Sequence, residues 1–210
     1  MSENKIVVPK YSRKKLRFLA HEWLNSIDID LFEYGYLNIE KIFKFLAQNF
    51  NVVYKEIQLG SVSNQKILGL MSVEKNAIYI DPILNQNLAM KRFTQAHEIA
   101  HWLLHRNCDL VDYNLADTQD SLHKQHNLKS TYDWVEWQAN TFAAFILIPQ
   151  KRFIDAFNNA LKKLSINKNS FSLNPAEFSK VQKILAFKFN VSKTVIGIYY
   201  QQLKKEQLLL

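Results

Sequence analysis

The chain has 210 residues, 48% of them hydrophobic, which suits one large domain or one domain with a helical appendage. Four glycines and four prolines favour helices over a β-sandwich, and the one cysteine excludes an internal disulfide framework. No apolar run approaches the length that a bilayer requires, and the first residues lead into no secretory signal. We therefore expect a cytoplasmic protein that makes no use of a membrane.

The net charge of +8 is distributed unevenly along the chain. Residues 1–20 carry six basic side chains and one acidic one, residues 151–210 carry eleven and three, and the segment between them is mildly acidic. Basic ends can bind nucleic acid or an acidic partner. Solvated helix faces have the same composition, and this second interpretation is favoured.

Two amphipathic helices are predicted near the start, over residues 12–27 and 38–50. In the second, apolar residues recur near helical spacing, with lysine and glutamine between them. Asn38 is suited to cap this helix, because an asparagine oxygen accepts hydrogen bonds from the first turn.

Three β-prone segments follow: Val52-Val53-Tyr54, residues 67–73 and residues 77–81. The last two flank a polar link of hairpin length, and Pro82 ends the last strand. This pattern predicts a small antiparallel sheet of about three strands, placed immediately before the next helix.

That next helix contains the HExxH motif His97-Glu98-x-x-His101. No glycine or proline interrupts the segment, and Asn85 or Asn87 can cap it. Residues four apart lie one above the other on a helix, so the two histidines direct their imidazoles to one spot, as a zinc site requires. The alternative is a helix with two surface histidines beside a glutamate.

A catalytic zinc needs a third protein ligand, and Glu136 is the best candidate. It lies in the apolar helix predicted over 133–148 and closed by Pro149, where a buried carboxylate needs a partner such as a metal ion. Asn140 follows one turn later and can support a ligating histidine. His105 is the rival ligand because it continues the four-residue series, but two such steps drift about 80° round a helix.

The connection over residues 107–131 is long, polar and irregular, which predicts a functional or mobile segment bordering the site. Within it, His123-x-x-His126 offers a second metal pair, although exposed loop histidines are the favoured interpretation. Beyond Pro149, helices are predicted over 150–164, 175–189 and 192–204. The lengths and spacing of the last two are those of a helix-turn-helix motif. The favoured interpretation is that they form a helical cap over the preceding domain.

Two motifs in the same order carry a resemblance to a known family: Phe93-Thr94-x-x-His97-Glu98-x-x-His101-x-Leu103-Leu104-His105, then Glu136-x-x-Ala139-Asn140-x-Phe142-Ala143 before an apolar run. Over roughly residues 38–150 the chain resembles the ImmA/IrrE family of zinc metallopeptidases. It departs from that family at Ile99-Ala100, where Leu-Gly or Phe-Gly is common, and at Gln138, where Glu is common.

The resemblance implies zinc held by His97, His101 and Glu136, with Glu98 as general base. It also implies an α+β fold that is mostly helical, with a zincin-like core, the small antiparallel sheet packed on the HExxH helix, and C-terminal helices. Better-understood members of the family act on DNA-binding repressors of mobile elements or stress regulons.

In such a site Glu98 takes a proton from water and returns it to the leaving amine. Tyr132, His105 and His123 are candidates for stabilising the oxyanion. An exposed sheet edge, for which residues 77–81 are the candidate, could hold an extended substrate by strand addition.

We therefore predict a cytoplasmic zinc endopeptidase of narrow specificity whose protein substrate is a helix-turn-helix repressor. Residues 1–150 would form the N-terminal helices and the metallopeptidase core, and residues 151–210 a helical subdomain. The alternative is a metallopeptidase-like sensor or binding module whose basic C-terminal helices contact a protein or DNA. Direct nucleic-acid binding is the less favoured of these contacts.

Overall fold

The structure of the chain is a computed structural model, and it describes residues 8–27, 30–62, 64–108, 115–118, 130–166 and 173–209. The helices in these ranges are α1 (Arg13–Ser26), α2 (Ile39–Phe50), α3 (Leu88–His105), α4 (Thr131–Leu147), α5 (Gln150–Lys163), α6 (Pro175–Phe189) and α7 (Lys193–Lys205). The strands are β1 (Val53–Glu56), β2 (Ser61–Val62), β3 (Gln65–Ser72), β4 (Ala77–Ile80) and β5 (Leu115–Thr118), and a 3-10 helix spans Pro82–Gln86. The fold is α+β and mostly helical, as predicted.

Local hydrogen bonds define where most of the helices begin. A side-chain oxygen accepts a hydrogen bond from the backbone N–H three residues on at Ser12, Asn38, Asn87, Ser130, Asn174 and Ser192. Each bond satisfies an N–H that has no partner within its own helix. The predicted caps Asn38 and Asn87 are confirmed. Helix α4 begins two residues earlier than predicted because Ser130 and Asp133 form a reciprocal capping box.

The sheet is mixed rather than antiparallel, and the described residues contribute five short strands to it instead of about three. Strands β3 and β4 form the predicted hairpin, with Ser72 opposite Ala77. Strand β1 pairs with β4 in parallel, while β2 and β5 each pair with β3 in antiparallel fashion. The prediction that residues 77–81 form an exposed edge is wrong, because β4 is hydrogen-bonded on both sides.

The HExxH helix lies between the sheet and α4. Helix α3 packs against β3 and β4 on one side and against α4 on the other, and α1 covers α4. The expected packing of the sheet on the motif helix is therefore confirmed. Because α3 is enclosed in this way, even polar residues on it, such as Gln95, are almost completely buried.

The C-terminal helices share the core of the rest of the molecule. Tyr199 of α7 packs its ring against Phe145 of α4 and Phe153 of α5, at centroid distances of 5.9 and 5.0 Å. The hydrophobic core is continuous from Leu16 on α1 to Leu203 on α7. It crosses residue 150, where a boundary is predicted, and the two-part division stays a prediction.

Most of the polar connection 107–131, including His123 and His126, lies outside the described residues. The exception in its interior is β5, which the sequence did not predict. Among the described residues, no helix combines the length and the hydropathy that a membrane crossing requires.

Candidate metal centre

Helix α3 directs two imidazoles of the HExxH motif to one point. The Nε2 atoms of His97 and His101 lie 2.7 Å apart, and the ring centroids are 4.4 Å apart. Neither side chain has any solvent exposure. The interpretation as two surface histidines is therefore wrong: the helix buries both rings between the sheet and α4.

Helix α4 brings a carboxylate to the same point. Glu136 Oε2 lies 3.5 Å from His97 Nε2, and Glu136 Oε1 lies 3.4 Å from His101 Nε2. The ligand atoms of the three residues are all within 4.8 Å of one another, and no other group of three or more His, Cys, Asp or Glu side chains in the described ranges is arranged to hold a metal ion. The buried carboxylate predicted for this helix is thus confirmed, since Glu136 is 1% exposed.

Asn140 fixes the orientation of the first imidazole. Its Oδ1 atom lies 2.9 Å from His97 Nδ1, one helical turn beyond Glu136. An amide oxygen only accepts hydrogen bonds, so His97 donates from Nδ1 and keeps its Nε2 lone pair for the point that it shares with His101. The expected support of a histidine by Asn140 is confirmed in the geometry.

His105 supports the second imidazole from behind. Its Nδ1 lies 3.0 Å from His101 Nδ1, so the two rings meet on the side of His101 opposite its Nε2. Burial lowers the pKa of His105 to about 3, which keeps the ring neutral. His105 is therefore a neighbour of His101 and lies outside the group of three ligand atoms. His105 is fully buried, and its candidate role in stabilising the oxyanion stays a prediction.

Glu98 is fully buried, one residue after His97, and it packs against strand β3. A Cβ atom built on Gly69 of β3 would lie 2.2 Å from Glu98 Oε1. The carboxylate therefore occupies space that any side chain at position 69 would need. Gly69 is absent from the site residues predicted above, although an isolated glycine within a strand is a signal of close backbone approach.

Of the three candidates for oxyanion stabilisation, Tyr132 is the one with an exposed side chain in the described residues. It lies in the first turn of α4, four residues before Glu136, and is 47% exposed. Residues four apart share one face of a helix, so the Tyr132 phenol is on the Glu136 side of α4.

The donor set fits a zinc ion. Two neutral imidazole nitrogens and one carboxylate are ligands that zinc prefers, and three protein ligands are typical of a catalytic site. The lone pairs of the two imidazole nitrogens and the negative charge of the Glu136 carboxylate are directed at one buried point. They repel one another unless a cation lies among them. The hydrogen bond from His97 to Asn140 provides the outer support that ligating histidines normally have.

Comparison with known proteins supports a peptidase family. The Peptidase_M78 family, described as the IrrE N-terminal-like domain, matches residues 47–198. The matched region starts in α2, includes the sheet and every residue of the candidate centre, and ends in α7. No curated protein matches the chain. Since the family match covers well over half of the sequence, the chain belongs to the IrrE N-terminal-like peptidase family.

Proposed function

We propose that the chain is a zinc-dependent endopeptidase in which His97, His101 and Glu136 hold the metal and Glu98 is the general base. One observation carries the proposal: in a chain of a peptidase family, two imidazole nitrogens of α3 and a carboxylate of α4 converge within 4.8 Å in a buried place. A purely structural zinc site has no need of the adjacent carboxylate of Glu98, whereas a hydrolytic site requires a base.

When bound by these residues, zinc supplies Lewis-acid chemistry, which polarises a peptide carbonyl and makes water nucleophilic at neutral pH. A carboxylate oxygen of Glu98 accepts the proton of the attacking water. The same oxygen then returns that proton to the nitrogen of the leaving amine. The phenol of Tyr132 donates a hydrogen bond to the oxygen on which negative charge develops.

The proposed substrate is a DNA-binding transcriptional regulator, and cleavage is of narrow specificity. The family resemblance of the two motifs supports a regulator as the substrate class. Helix α6 and the start of α7 offer a docking surface, which we call the basic face and which consists of the exposed residues Lys180, Lys183, Lys188 and Lys193. A surface of one charge orients a partner of the opposite charge and raises its association rate.

A sensor or binding module is the second candidate. The observation in its favour is Phe187, which is 89% exposed beside the lysines of the basic face. A large exposed aromatic side chain is a frequent contact residue. In this alternative the basic face binds a protein or DNA, and the metal centre only stabilises the domain.

The two candidates differ in what Glu98 does. We expect the purified chain to contain about one zinc per molecule and to cleave a candidate repressor or a peptide from a mixed-sequence quenched-fluorescence library. Glu98→Gln should keep the zinc and lower the cleavage rate by about 100-fold or more. Glu74→Gln, which changes an exposed carboxylate in the β3–β4 turn, is the matched control. Full activity of Glu98→Gln would exclude the proposed mechanism.

A further inference from the structure

Strand β3 approaches the HExxH helix most closely at Gly69. A Cβ atom built there would lie 2.2 Å from Glu98 Oε1, 2.9 Å from Glu98 Cδ and 2.7 Å from Thr94 Cγ2. Ordinary contacts of a Cβ atom begin at 3.4 Å. The φ angle of Gly69 is not positive, unlike those of Gly35 and Gly60, so it is the missing side chain rather than the backbone angle that matters here.

The strand is held in place on both sides at this point. Gly69 is opposite Ile80 of β4 and Asp117 of β5, so β3 cannot move away from α3 on its own without disturbing both pairings. Thr94 is a fully buried, β-branched residue on α3, and it has little rotational freedom. The Glu98 carboxylate is the end of a longer side chain and is the group that can move.

We propose that Gly69 is a positioning residue for Glu98. Because Gly69 has no side chain, the carboxylate can lie against β3, which fixes its position on the sheet side of α3. This inference rests on the proposed role of Glu98 as general base. With a methyl group at position 69, Glu98 Oε1 would lie 2.2 Å from the new Cβ atom unless the carboxylate moved. To restore an ordinary contact of at least 3.4 Å, the carboxylate must shift away from β3. A misplacement of about 1 Å is enough to lower an enzymatic rate by about 100-fold.

The proposal predicts a specific combination of effects for Gly69→Ala. The three heavy atoms nearest to a Cβ atom at this position belong to Glu98 and Thr94, and none belongs to a proposed zinc ligand. Zinc content should therefore stay at the wild-type level, while the melting temperature falls by several degrees and kcat falls by about 100-fold with little change in KM.

A double-mutant cycle on melting temperature tests the contact without any substrate. Gly69→Ala is compared in the wild-type and Glu98→Ala backgrounds. We expect its destabilisation to shrink by at least half in the second background, because the carboxylate is no longer there to be displaced. Gly197→Ala is the matched control, since its Cβ would lie 2.9 Å from the side-chain Nε2 of Gln182, far along the chain from Glu98. Its effect should be equal in both backgrounds.

Equal destabilisation by Gly69→Ala in the two backgrounds would overturn the proposal. If Gly69→Ala alone does not fold, recovery of folding in the double variant Gly69→Ala/Glu98→Ala is the expected result. Failure of both variants to fold would assign the strain to Thr94 Cγ2, 2.7 Å from the same Cβ position, and would overturn the proposal.

The second arm measures cleavage of the mixed-sequence peptide library. Glu98→Asp shortens the side chain by one methylene, so Gly69→Ala/Glu98→Asp should cleave faster than Gly69→Ala alone, although Glu98→Asp by itself is slower than the wild type. A merely structural glycine would give the opposite order. If the wild type cleaves no peptide, the proposed function fails, and the melting cycle alone then decides whether Gly69 holds Glu98.

Discussion

The Nδ1 atoms of His101 and His105 lie 3.0 Å apart in a part of the molecule without solvent access. One ring must donate to the other, and His101 can bind a metal ion through Nε2 only in the tautomer in which its Nδ1 donates to His105 Nδ1. Donation from His101 Nδ1 leaves its Nε2 lone pair directed toward Glu136. A third histidine thus takes the orienting role that a carboxylate or a backbone carbonyl often fills.

This arrangement separates the effects of Glu136 and His105 on metal binding. Glu136→Ala removes a ligand, and we expect the dialysed protein to hold far less than one zinc per chain. His105→Ala removes only support behind His101, so zinc content should stay near one. Elemental analysis after dialysis measures both. The reverse order would identify His105 as the third ligand.

We expect Asn140 to affect the affinity for zinc rather than the number of zinc ions bound per chain. Asn140→Ala leaves the Nδ1 proton of His97 without its acceptor, and loss of such outer support typically weakens metal binding by about 10- to 100-fold. Competition with a chromophoric chelator measures this change. Asn159→Ala on the exposed face of α5 is the control and should match the wild type. Unchanged affinity of Asn140→Ala would mean that the hydrogen bond does not orient His97.

We expect substitution of Tyr132 to lower kcat without changing zinc binding. Tyr132→Phe removes the phenolic hydroxyl but keeps the ring, and the loss of one oxyanion donor typically lowers kcat by about 100-fold. Zinc content should not change. Tyr34→Phe is a suitable control, because Tyr34 is 64% exposed and lies in the loop before α2. A normal kcat for Tyr132→Phe would assign the oxyanion to another donor.

Asp81 links the stability of the sheet to pH. Its carboxylate accepts hydrogen bonds from the backbone N–H groups of Leu59 and Ile83, at 2.8 and 3.0 Å, and pairs with Lys66 at 3.0 Å. Burial acts to raise the pKa of Asp81, but these hydrogen bonds and the lysine charge together lower it below its ordinary value. The stabilisation is therefore complete above the unfolded-state pKa of about 3.9, and it is lost as pH falls through the lower folded-state pKa.

We expect Asp81→Asn to lower the free energy of unfolding at pH 7 by about 1.5–3 kcal/mol. The difference from the wild type should shrink as the pH is lowered below about 4. Urea unfolding at pH 7 and pH 3 measures this change, with the exposed Asp155→Asn as control. A difference that is constant with pH would show that the carboxylate charge is not the source of the stabilisation.

Specificity should depend on the basic face. We expect casein to be cut poorly or not at all, and reversal of Lys180, Lys183 and Lys188 to glutamate to raise KM for the regulator without changing zinc content. Reversal of the exposed Lys44, Lys55 and Lys75 is the charge-matched control. Rapid casein degradation, or equal effects of the two triple variants, would contradict docking at this face.

The sequence predicts best what depends on local geometry. The caps Asn38 and Asn87 follow from side-chain hydrogen bonds that span three residues, and the convergence of His97 and His101 follows from helical spacing. Glu136 was identified because a carboxylate in an apolar helix needs a partner, and the structure places it beside both histidines.

Long-range pairing was not predictable in the same way. The parallel pairing of β1 with β4 depends on where the chain returns after β2 and β3, which no local pattern encodes, so residues 77–81 were mistaken for an edge. Strand β5 is only four residues long, too short for its alternation to be distinguished from loop sequence. The direction in which His105 points depends on the packing of α4 and the sheet around α3.

The central position of β3 has a consequence for the order of folding. Its pairing with β4 closes a short hairpin, whereas its pairing with β5 joins Ile67 to Thr118 across the whole of α3. Loop closure costs more entropy for the longer connection, so the hairpin and the motif helix can associate before β5 docks. Gly69 would then contact Glu98 early in folding, and the later pairing of β5 with β3 would stabilise that contact.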